Sequence, residues 1–482
     1  MKISFDLIAP MVIQMEVVVK MGLALGFAFV LASCGSENDD IPGTYSFESR
    51  FDVEASSVSY TGQVKRHLLI SDMKSYLSGL TTPIDANELE PAPGEIAEGL
   101  LFYYDFDGSG EESTVLLTAA LPVLQNTYGA ITAGKNLSGK IAGNDNGGAK
   151  DFKNWNGGDF VGWNDGAPGS PDSLVRLFIS RVDALAVNRA QENPELDPSG
   201  AAIENVYVDS QGRDYQQLLQ KFLLGAVAYA QATDDYLDEG LSEEHASPVE
   251  GKPYSALEHA FDEAFGYFGA SRDFADYSDD EIAKSGGRSD YQGAHDTNGD
   301  GQIDLTAEYI FGHAQNAGKR DRGASTDYTA DLINAFIQGR SVLAQTNSAL
   351  TAEEMAELTS ARDIISSSWE RVIAATVIHY FNEVLVDLSS HTTGNYSFLN
   401  HAKHWSELKG FSLSLQFNPR KLISDEDFQT LQTNIGDQPT LETDEGTIAA
   451  RKSVLVQMRA LLGDKYGFTA GELGDENGEG GL

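Results

Sequence analysis

The stretch YSALEHAFDEAFGYFG, residues 254–269, carries the pattern that decides the expected fold. At about 100° per residue, one side of a helix over this stretch is apolar and consists of Leu257, Phe261, Phe265 and Phe268. The opposite side, around Gly266, carries His259, Asp262 and Glu263. The pattern predicts a helix that buries an aromatic face and presents an imidazole and two carboxylates to a ligand or simply to solvent.

The same combination of histidine and carboxylate recurs at His379 with Glu383 and at His404 with Glu407. Side chains three or four residues apart are neighbours on a helix surface, so each pair can hold a metal ion or relay a proton. We expect the pair on the first helix to face one of the other two across a cleft between helical bundles. The alternative is that each histidine packs within its own helix and that each polar face is solvated.

The segment that starts at Asp296 has the spacing of a calcium-binding loop. Oxygen-bearing side chains stand at loop positions 1, 3, 5 and 9, as Asp296, Asn298, Asp300 and Asp304. Gly301 occupies the sharp turn, and Gln302 would offer its backbone carbonyl oxygen. The final acidic residue comes one place late, at Glu308. Either Glu308 reaches the ion from a shifted helix start, or coordination is completed elsewhere, or the segment is a turn without metal.

The N-terminus has the features of a bacterial lipoprotein signal over residues 1–33. Lys20 precedes a short apolar run, and Leu31-Ala32-Ser33 leads into Cys34, the single cysteine of the chain. We expect Cys34 to be lipidated and residues 34–43 to form a flexible tether. Gly35 after the cysteine favours the outer membrane, with the folded domain facing either the periplasm or the cell surface.

Composition narrows the possible partners. The formal net charge of −40 repels phosphate, so nucleic acid is an unfavourable partner, although the same acidity also serves solubility. The chain has no His-Glu-x-x-His zinc motif, no Gly-x-Ser-x-Gly elbow and no phosphate-binding glycine loop. These absences disfavour an ordinary hydrolase.

Helical periodicity dominates the chain after a short segment, near residues 45–62, whose alternating pattern predicts a small N-terminal β arm. Thr351 and Glu354 form a capping box before the longest periodic run, which predicts a helix of about ten turns. Residues 141–171 read as an ordered surface loop, and residues 471–482 as a disordered acidic tail. The prediction is an all-α protein with one helical domain over residues 44–470.

Three runs of sequence carry a family resemblance: EHAFDEAFGYFG at 258–269, IDLTAEYIFGHAQNAGKRDRG at 303–323 and HAKHWSELKGF at 401–411. From Tyr45 to about Phe468 the chain resembles uncharacterised bacterial lipoproteins that carry a domain of unknown function, a family itself similar to imelysins. The resemblance implies two packed helical bundles, a metal-associated site and a link to iron or haem uptake. Some imelysin-like proteins are classed as metallopeptidases. Against the imelysin pattern of Gly, His and Glu, this chain has Leu257, His259 and Asp262, with Glu263 adjacent.

These observations lead to three functional hypotheses. The first is a non-enzymatic binding lipoprotein that holds calcium in its loop, takes up iron, haem or another metal, and works with an outer-membrane uptake receptor. The second is a metal-dependent peptidase of the imelysin type. The third is a surface adhesion or scaffold protein in which calcium only braces a loop.

Overall fold

The computed structural model describes residues 43–144, 158–288, 295–391 and 394–482. The predicted signal segment 1–33, the lipidation site Cys34 and nearly all of the predicted tether lie outside the described residues. The same holds for residues 145–157 of the predicted surface loop. All of the described residues belong to one compact unit.

The described residues of the first part of the chain form five helices. They are α1 (Thr61–Ser78), α2 (Thr81–Asp85), α3 (Glu95–Tyr104), α4 (Tyr128–Ile131) and α5 (Pro171–Ala190). Helix α1 buries Ile70, Met73 and Leu77, which recur at the spacing of one helix face. Helix α5 starts where Ser170 forms a capping box and proline occupies the first turn, where no intrahelical N–H partner is needed.

The next helix passes through the centre of the molecule. Helix α6 (Tyr215–Leu223) continues as two π-helical segments, Leu224–Tyr229 and Gln231–Tyr236. Nearly every residue of this run is buried. Gly225 allows close approach to the helix that contains Ser414, since a Cβ at position 225 would overlap the serine side chain. The two helices therefore pack closely at Gly225.

The stretch at 254–269 forms helix α7 (Ala256–Phe268). Ser255 and Glu258 build a capping box at its start, and Gly269 ends it with a left-handed φ of 86°. The predicted apolar stripe is buried, and Phe268 packs edge to face on Trp369 with 5.2 Å between the ring centroids. Three helices follow: α8 (Asp279–Ile282), α9 (Gly312–Asp321) and α10 (Tyr328–Gln345).

The last part of the chain is organised around one long helix. Its helices are α11 (Ala352–Ser390), α12 (Phe398–Ser414), α13 (Asp425–Ile435), α14 (Glu445–Tyr466) and α15 (Ala470–Leu473). The capping box of Thr351 and Glu354 starts α11 as predicted, and its 39 residues span about 58 Å. Among the described helices, α11 alone is long and apolar enough to cross a membrane, but 72% of its most apolar window is buried against other parts of the protein. It packs on α10, α12 and α14.

The all-α prediction is confirmed, whereas the predicted β arm is not. Within the described residues the structure contains no strand, and the N-terminal segment has only an isolated backbone pairing between Glu48 and Ser56. This segment lies against α7, and its polar groups form hydrogen bonds with that helix rather than with a second strand. The alternating sequence pattern reflects burial of Tyr45 and Phe47 on that helix.

The structure also differs from the predicted disordered tail over residues 471–482. The guanidinium of Arg459 donates to the carbonyl oxygens of Gly474 and Asp475, at 3.0 and 2.7 Å. The backbone N–H of Leu482 donates to the carbonyl oxygen of Glu472 at 2.9 Å. A composition rich in Gly and Glu predicts fraying, but these contacts with α14 fix the segment.

Candidate functional site

The polar face of α7 is largely covered by the N-terminal segment and by α10. Asp262 is fully buried and accepts hydrogen bonds from the Tyr45 hydroxyl at 2.8 Å, the Ser59 backbone N–H at 3.1 Å and Arg340 Nε at 2.9 Å. Burial raises the pKa of Asp262, although the charge of Arg340 acts in the opposite direction. Glu258 binds the same guanidinium at 3.2 Å. Asp262 therefore serves this buried ionic network.

The other two polar residues of α7 remain partly exposed. The Nδ1 atom of His259 donates to the carbonyl oxygen of Ser59 at 3.0 Å, and its ring stacks on Tyr254. Its Nε2 atom lies 3.9 Å from Oε1 of Glu263, and Gln63 donates to that same oxygen at 2.8 Å. The pair is thus oriented by the N-terminal segment and α1. In the described part of the chain it makes no contact with the other two histidine pairs.

Those other two pairs meet each other between α11 and α12. His404 Nδ1 lies 3.7 Å from Glu383 Oε2 and forms a hydrogen bond of 2.8 Å with Asp387 Oδ2. Burial alone would lower the pKa of His404, but Asp387 and the neighbouring carboxylates raise it. We call His379, Glu383, Asp387, His404 and Glu407 the α11–α12 seam.

His379 and Glu407 are the remaining members of the seam. His379 Nδ1 forms a hydrogen bond of 3.0 Å with the backbone oxygen of Leu482, and burial lowers the pKa of His379 to about 4. Glu407 Oε1 lies 3.4 Å from the Lys221 ammonium. Burial opposes ionisation of Glu407, but the charges of Lys221 and Lys403 hold its pKa below the ordinary value. The seam therefore contains a neutral imidazole beside an ionised carboxylate.

Asp387 was not among the residues predicted from the sequence, although it forms a hydrogen bond of 2.8 Å with His404. The signal was present, because His379, Glu383, Asp387 and His391 follow one another at intervals of four residues along α11. His391 stacks on Tyr396 at 3.6 Å, beyond the seam. In the described ranges, no three His, Cys, Asp or Glu side chains already converge as a metal site.

The calcium-like segment folds around its first residue. Asp296 accepts the backbone N–H groups of Gly299, Asp300 and Gly301, at 2.8, 3.2 and 2.9 Å. Asn298 Oδ1 accepts the N–H of Asp300, and Asp300 Oδ1 accepts the N–H of Gln302, both at 2.8 Å. Gly301 has a φ of 82°, as expected for the sharp turn. The oxygens predicted at positions 1, 3 and 5 thus come from a tight loop that wraps around Asp296.

The remaining predicted ligands of this loop have structural partners. Asp304 Oδ1 accepts from the backbone N–H and hydroxyl of Thr306, at 2.8 and 2.7 Å. Glu308 is 2% exposed, and its two oxygens accept the backbone N–H groups of Thr297 and Asp304, at 2.8 and 2.9 Å. Glu308 therefore joins the two ends of the loop. Within the described residues, none of the loop carboxylates forms a salt bridge with a basic side chain.

The loop is also attached to the rest of the protein through its backbone. Ile303 at position 8 donates its N–H to the carbonyl oxygen of Pro122 and accepts from the N–H of Leu124, both at 2.9 Å. The Ile303 side chain is buried. An ion in the loop would therefore fasten residues 296–304 against the segment at 122–124.

A family model described as a domain of unknown function (DUF4856) matches residues 197–469. The chain belongs to this family. The predicted resemblance to a domain of unknown function is thereby confirmed. No curated protein and no solved structure matches the chain. The region matched by DUF4856 includes α7, the calcium-like loop and the α11–α12 seam, whereas α1 and the N-terminal segment precede it.

We expect calcium to raise the melting temperature of this DUF4856 protein. Four carboxylates that form no salt bridge within the described residues fit a hard divalent cation with oxygen ligands, and an ion that binds only the native state stabilises it by mass action. At a free calcium concentration 100 times the Kd, the gain is about 2.7 kcal/mol. Differential scanning calorimetry with added calcium and with excess chelator measures the shift.

Two variants locate the calcium effect. Asp296→Ala should abolish the calcium-dependent shift, because Asp296 contributes the oxygens around which the loop is built. Asp107→Ala is the matched control, because Asp107 lies in an exposed acidic turn without the full loop spacing. Equal melting curves with calcium and with chelator would identify residues 296–308 as a turn without metal.

Proposed function

We propose that this protein is a lipid-anchored binding protein of the bacterial envelope that captures a transition metal, iron being the expected one, at the α11–α12 seam. The observation that carries the proposal is the 2.8 Å hydrogen bond between His404 Nδ1 and Asp387. A carboxylate on one ring nitrogen fixes the tautomer and leaves the other nitrogen as a metal ligand. Glu383 and Glu407 are the nearby carboxylates that would complete the ligand set.

The ligand side chains in the seam are of the types that bind transition metals. Imidazole combined with carboxylates suits iron and similar transition metals. The metal would neutralise the negative charge that Glu383 and Asp387 place beside His404. Haem fits less well, because the cavity beside His379 is lined mainly by polar and charged groups rather than by an apolar wall.

The arrangement of α7 favours binding over the peptidase alternative. A general base needs a carboxylate within reach of a water molecule, and the imelysin pattern assigns that position to Asp262. Asp262 is fully buried and hydrogen-bonded to Tyr45, Ser59 and Arg340, so it is not available to activate a water molecule.

Two elements of the proposal come from the sequence resemblance: the imelysin-like arrangement of two bundles, and an outer-membrane receptor as partner. Anchoring through Cys34 also belongs to the proposal, and calcium in the loop would brace the fold.

Metal affinity of the purified protein, measured by competition with a fluorescent chelator for Fe(II) and Zn(II), tests the proposed site. His404→Ala should abolish binding at the seam. Asp387→Asn should weaken it by about 10–100-fold, because an amide orients the imidazole without raising its basicity. Asp387→Asn is the sharper variant, since it conserves the size of the side chain.

His259→Ala distinguishes the two histidine sites. His259 has a similar orientation, with Nδ1 bonded to the backbone of Ser59, but its neighbour Glu263 already accepts from Gln63. We expect this variant to retain wild-type affinity. Loss of binding in His259→Ala, with His404→Ala unaffected, would place the metal on α7 and contradict the proposal. Binding of calcium alone would leave the scaffold hypothesis.

A further inference from the structure

A cavity of about 870 Å³ opens beside the C-terminal end of α9. Its wall combines the end of that helix with His379 of α11 and with residues from the segment 469–482. The volume lies within the range of about 300–1,000 Å³ that is usual for small-ligand pockets. Most of the lining side chains are polar or charged, so the cavity suits a polar ligand.

Arg320, which lines this cavity, is a buried cation whose Nε lacks a hydrogen-bond partner within the described residues. Its side chain is 9% exposed. Burial lowers the pKa of Arg320 to about 10, against the influence of Tyr380 and Glu383, so the guanidinium is charged at neutral pH. A buried charge without a hydrogen-bonded partner is costly, and a bound anion would remove that cost.

The acidic residues of the same cavity already have partners. Asp280 forms an ion pair of 2.7 Å with Arg322. Glu472 accepts from the backbone N–H and the hydroxyl of Thr469, at 2.6 and 2.7 Å. Asp279 accepts from a threonine hydroxyl at 3.3 Å. Within the described residues, Arg320 is therefore a buried cation that forms no salt bridge.

Lys319 adds a second cation to the wall. It is exposed and stands beside Arg320 in the last turn of α9. Cations in the last turn of a helix interact favourably with the helix dipole, which accounts for their presence there. That interaction supplies no hydrogen-bond acceptor to the Nε of Arg320. The cavity, the buried guanidinium and the exposed ammonium together describe a site for an anion.

We propose that this cavity binds a small organic anion, whose carboxylate or phosphate group pairs with Arg320 and Lys319. The planar guanidinium matches the two oxygens of either group, and the ammonium adds a second positive charge. The site is unexpected in a chain with a net charge of −40. The proposed anion contacts are the cations of α9 and not the proposed metal ligands, although the cavity borders the seam at His379.

Isothermal titration of the full protein with succinate and with inorganic phosphate, at constant ionic strength, tests this proposal. We expect saturable binding of at least one probe, and the preferred probe identifies the anionic group. Arg320→Gln should weaken that binding at least about tenfold, because it removes a charge-assisted hydrogen-bonding group. Arg362→Gln is the matched control, since Arg362 pairs with the exposed Asp363 away from the cavity, and it should bind like the wild type.

Lys319→Gln keeps the test decisive if Arg320→Gln does not fold. Lys319 is exposed, so its replacement should leave the stability unchanged while it weakens anion binding by a smaller factor. Absence of saturable binding of both probes to the wild-type protein would overturn the proposal. Wild-type affinity in Arg320→Gln, or in Lys319→Gln where that variant alone folds, would overturn it as well. Neither outcome depends on whether the seam binds metal.

Discussion

Replacement of Arg340 by methionine is expected to lower the free energy of unfolding by about 3–5 kcal/mol. The Arg340 side chain is fully buried and donates to Asp262 at 2.9 Å, Glu258 at 3.2 Å and Ser57 at 2.6 Å. Methionine fills similar space but provides no charge, so Asp262 would remain buried without a cation. Glu258 keeps a second partner in Arg50 at 3.2 Å. Urea unfolding measures the loss.

Two further variants separate lost charge compensation from lost packing. Asp262→Asn in the Arg340→Met background removes the uncompensated charge, so the double variant should be more stable than the sum of the single effects predicts. Arg362→Met is the control for removal of an arginine, because its ion pair with Asp363 lies at the surface and should contribute about 0–1 kcal/mol. Equal stability of Arg340→Met and Arg362→Met would show that the buried network does not stabilise the fold.

The same network shows what the sequence could and could not predict. Helical period located α7 and its buried aromatic stripe, because these depend on residues within a few turns. The fate of Asp262 depends on Arg340, which is 78 residues away, and on Tyr45, which is 217 residues away. A helical projection identifies a polar face but not the element that covers it. Asp262, which was predicted to belong to a ligand-binding face of α7, therefore forms a buried ion pair with Arg340 instead.

At the seam, helical periodicity predicted the two pairs within single helices. It did not predict Asp387 or the contact between Leu482 and His379. His379 with Glu383 and His404 with Glu407 were found as pairs within single helices, and Glu383 does lie 3.7 Å from His404. The missing member was Asp387, which lies one turn beyond Glu383 on α11 and therefore outside the predicted pair. The position of Leu482 on His379 depends on how the last residues fold back, which composition alone does not determine.

Replacement of Glu370 by leucine is expected to lower the free energy of unfolding by about 4 kcal/mol or more. Glu370 is fully buried on α11, and burial raises its pKa. Its oxygens accept from the Leu422 N–H at 2.8 Å, the Tyr466 hydroxyl at 2.8 Å, the Asn418 amide at 2.9 Å and the Tyr229 hydroxyl at 3.5 Å. These donors come from three other parts of the chain, so leucine would leave several buried groups without an acceptor.

Glu370→Gln distinguishes the need for acceptors from the effect of volume. Glutamine conserves the shape and keeps one carbonyl oxygen, but its amide group would face donors, so its cost should lie between those of the wild type and Glu370→Leu. Glu357→Leu is the matched control on the same helix, because Glu357 is exposed and its replacement should change stability by less than about 0.5 kcal/mol. Chemical denaturation of the three variants measures the order. If Glu370→Leu were as stable as Glu357→Leu, the four donors would have to find other acceptors, and Glu370 would not be the residue that joins α11 to α14.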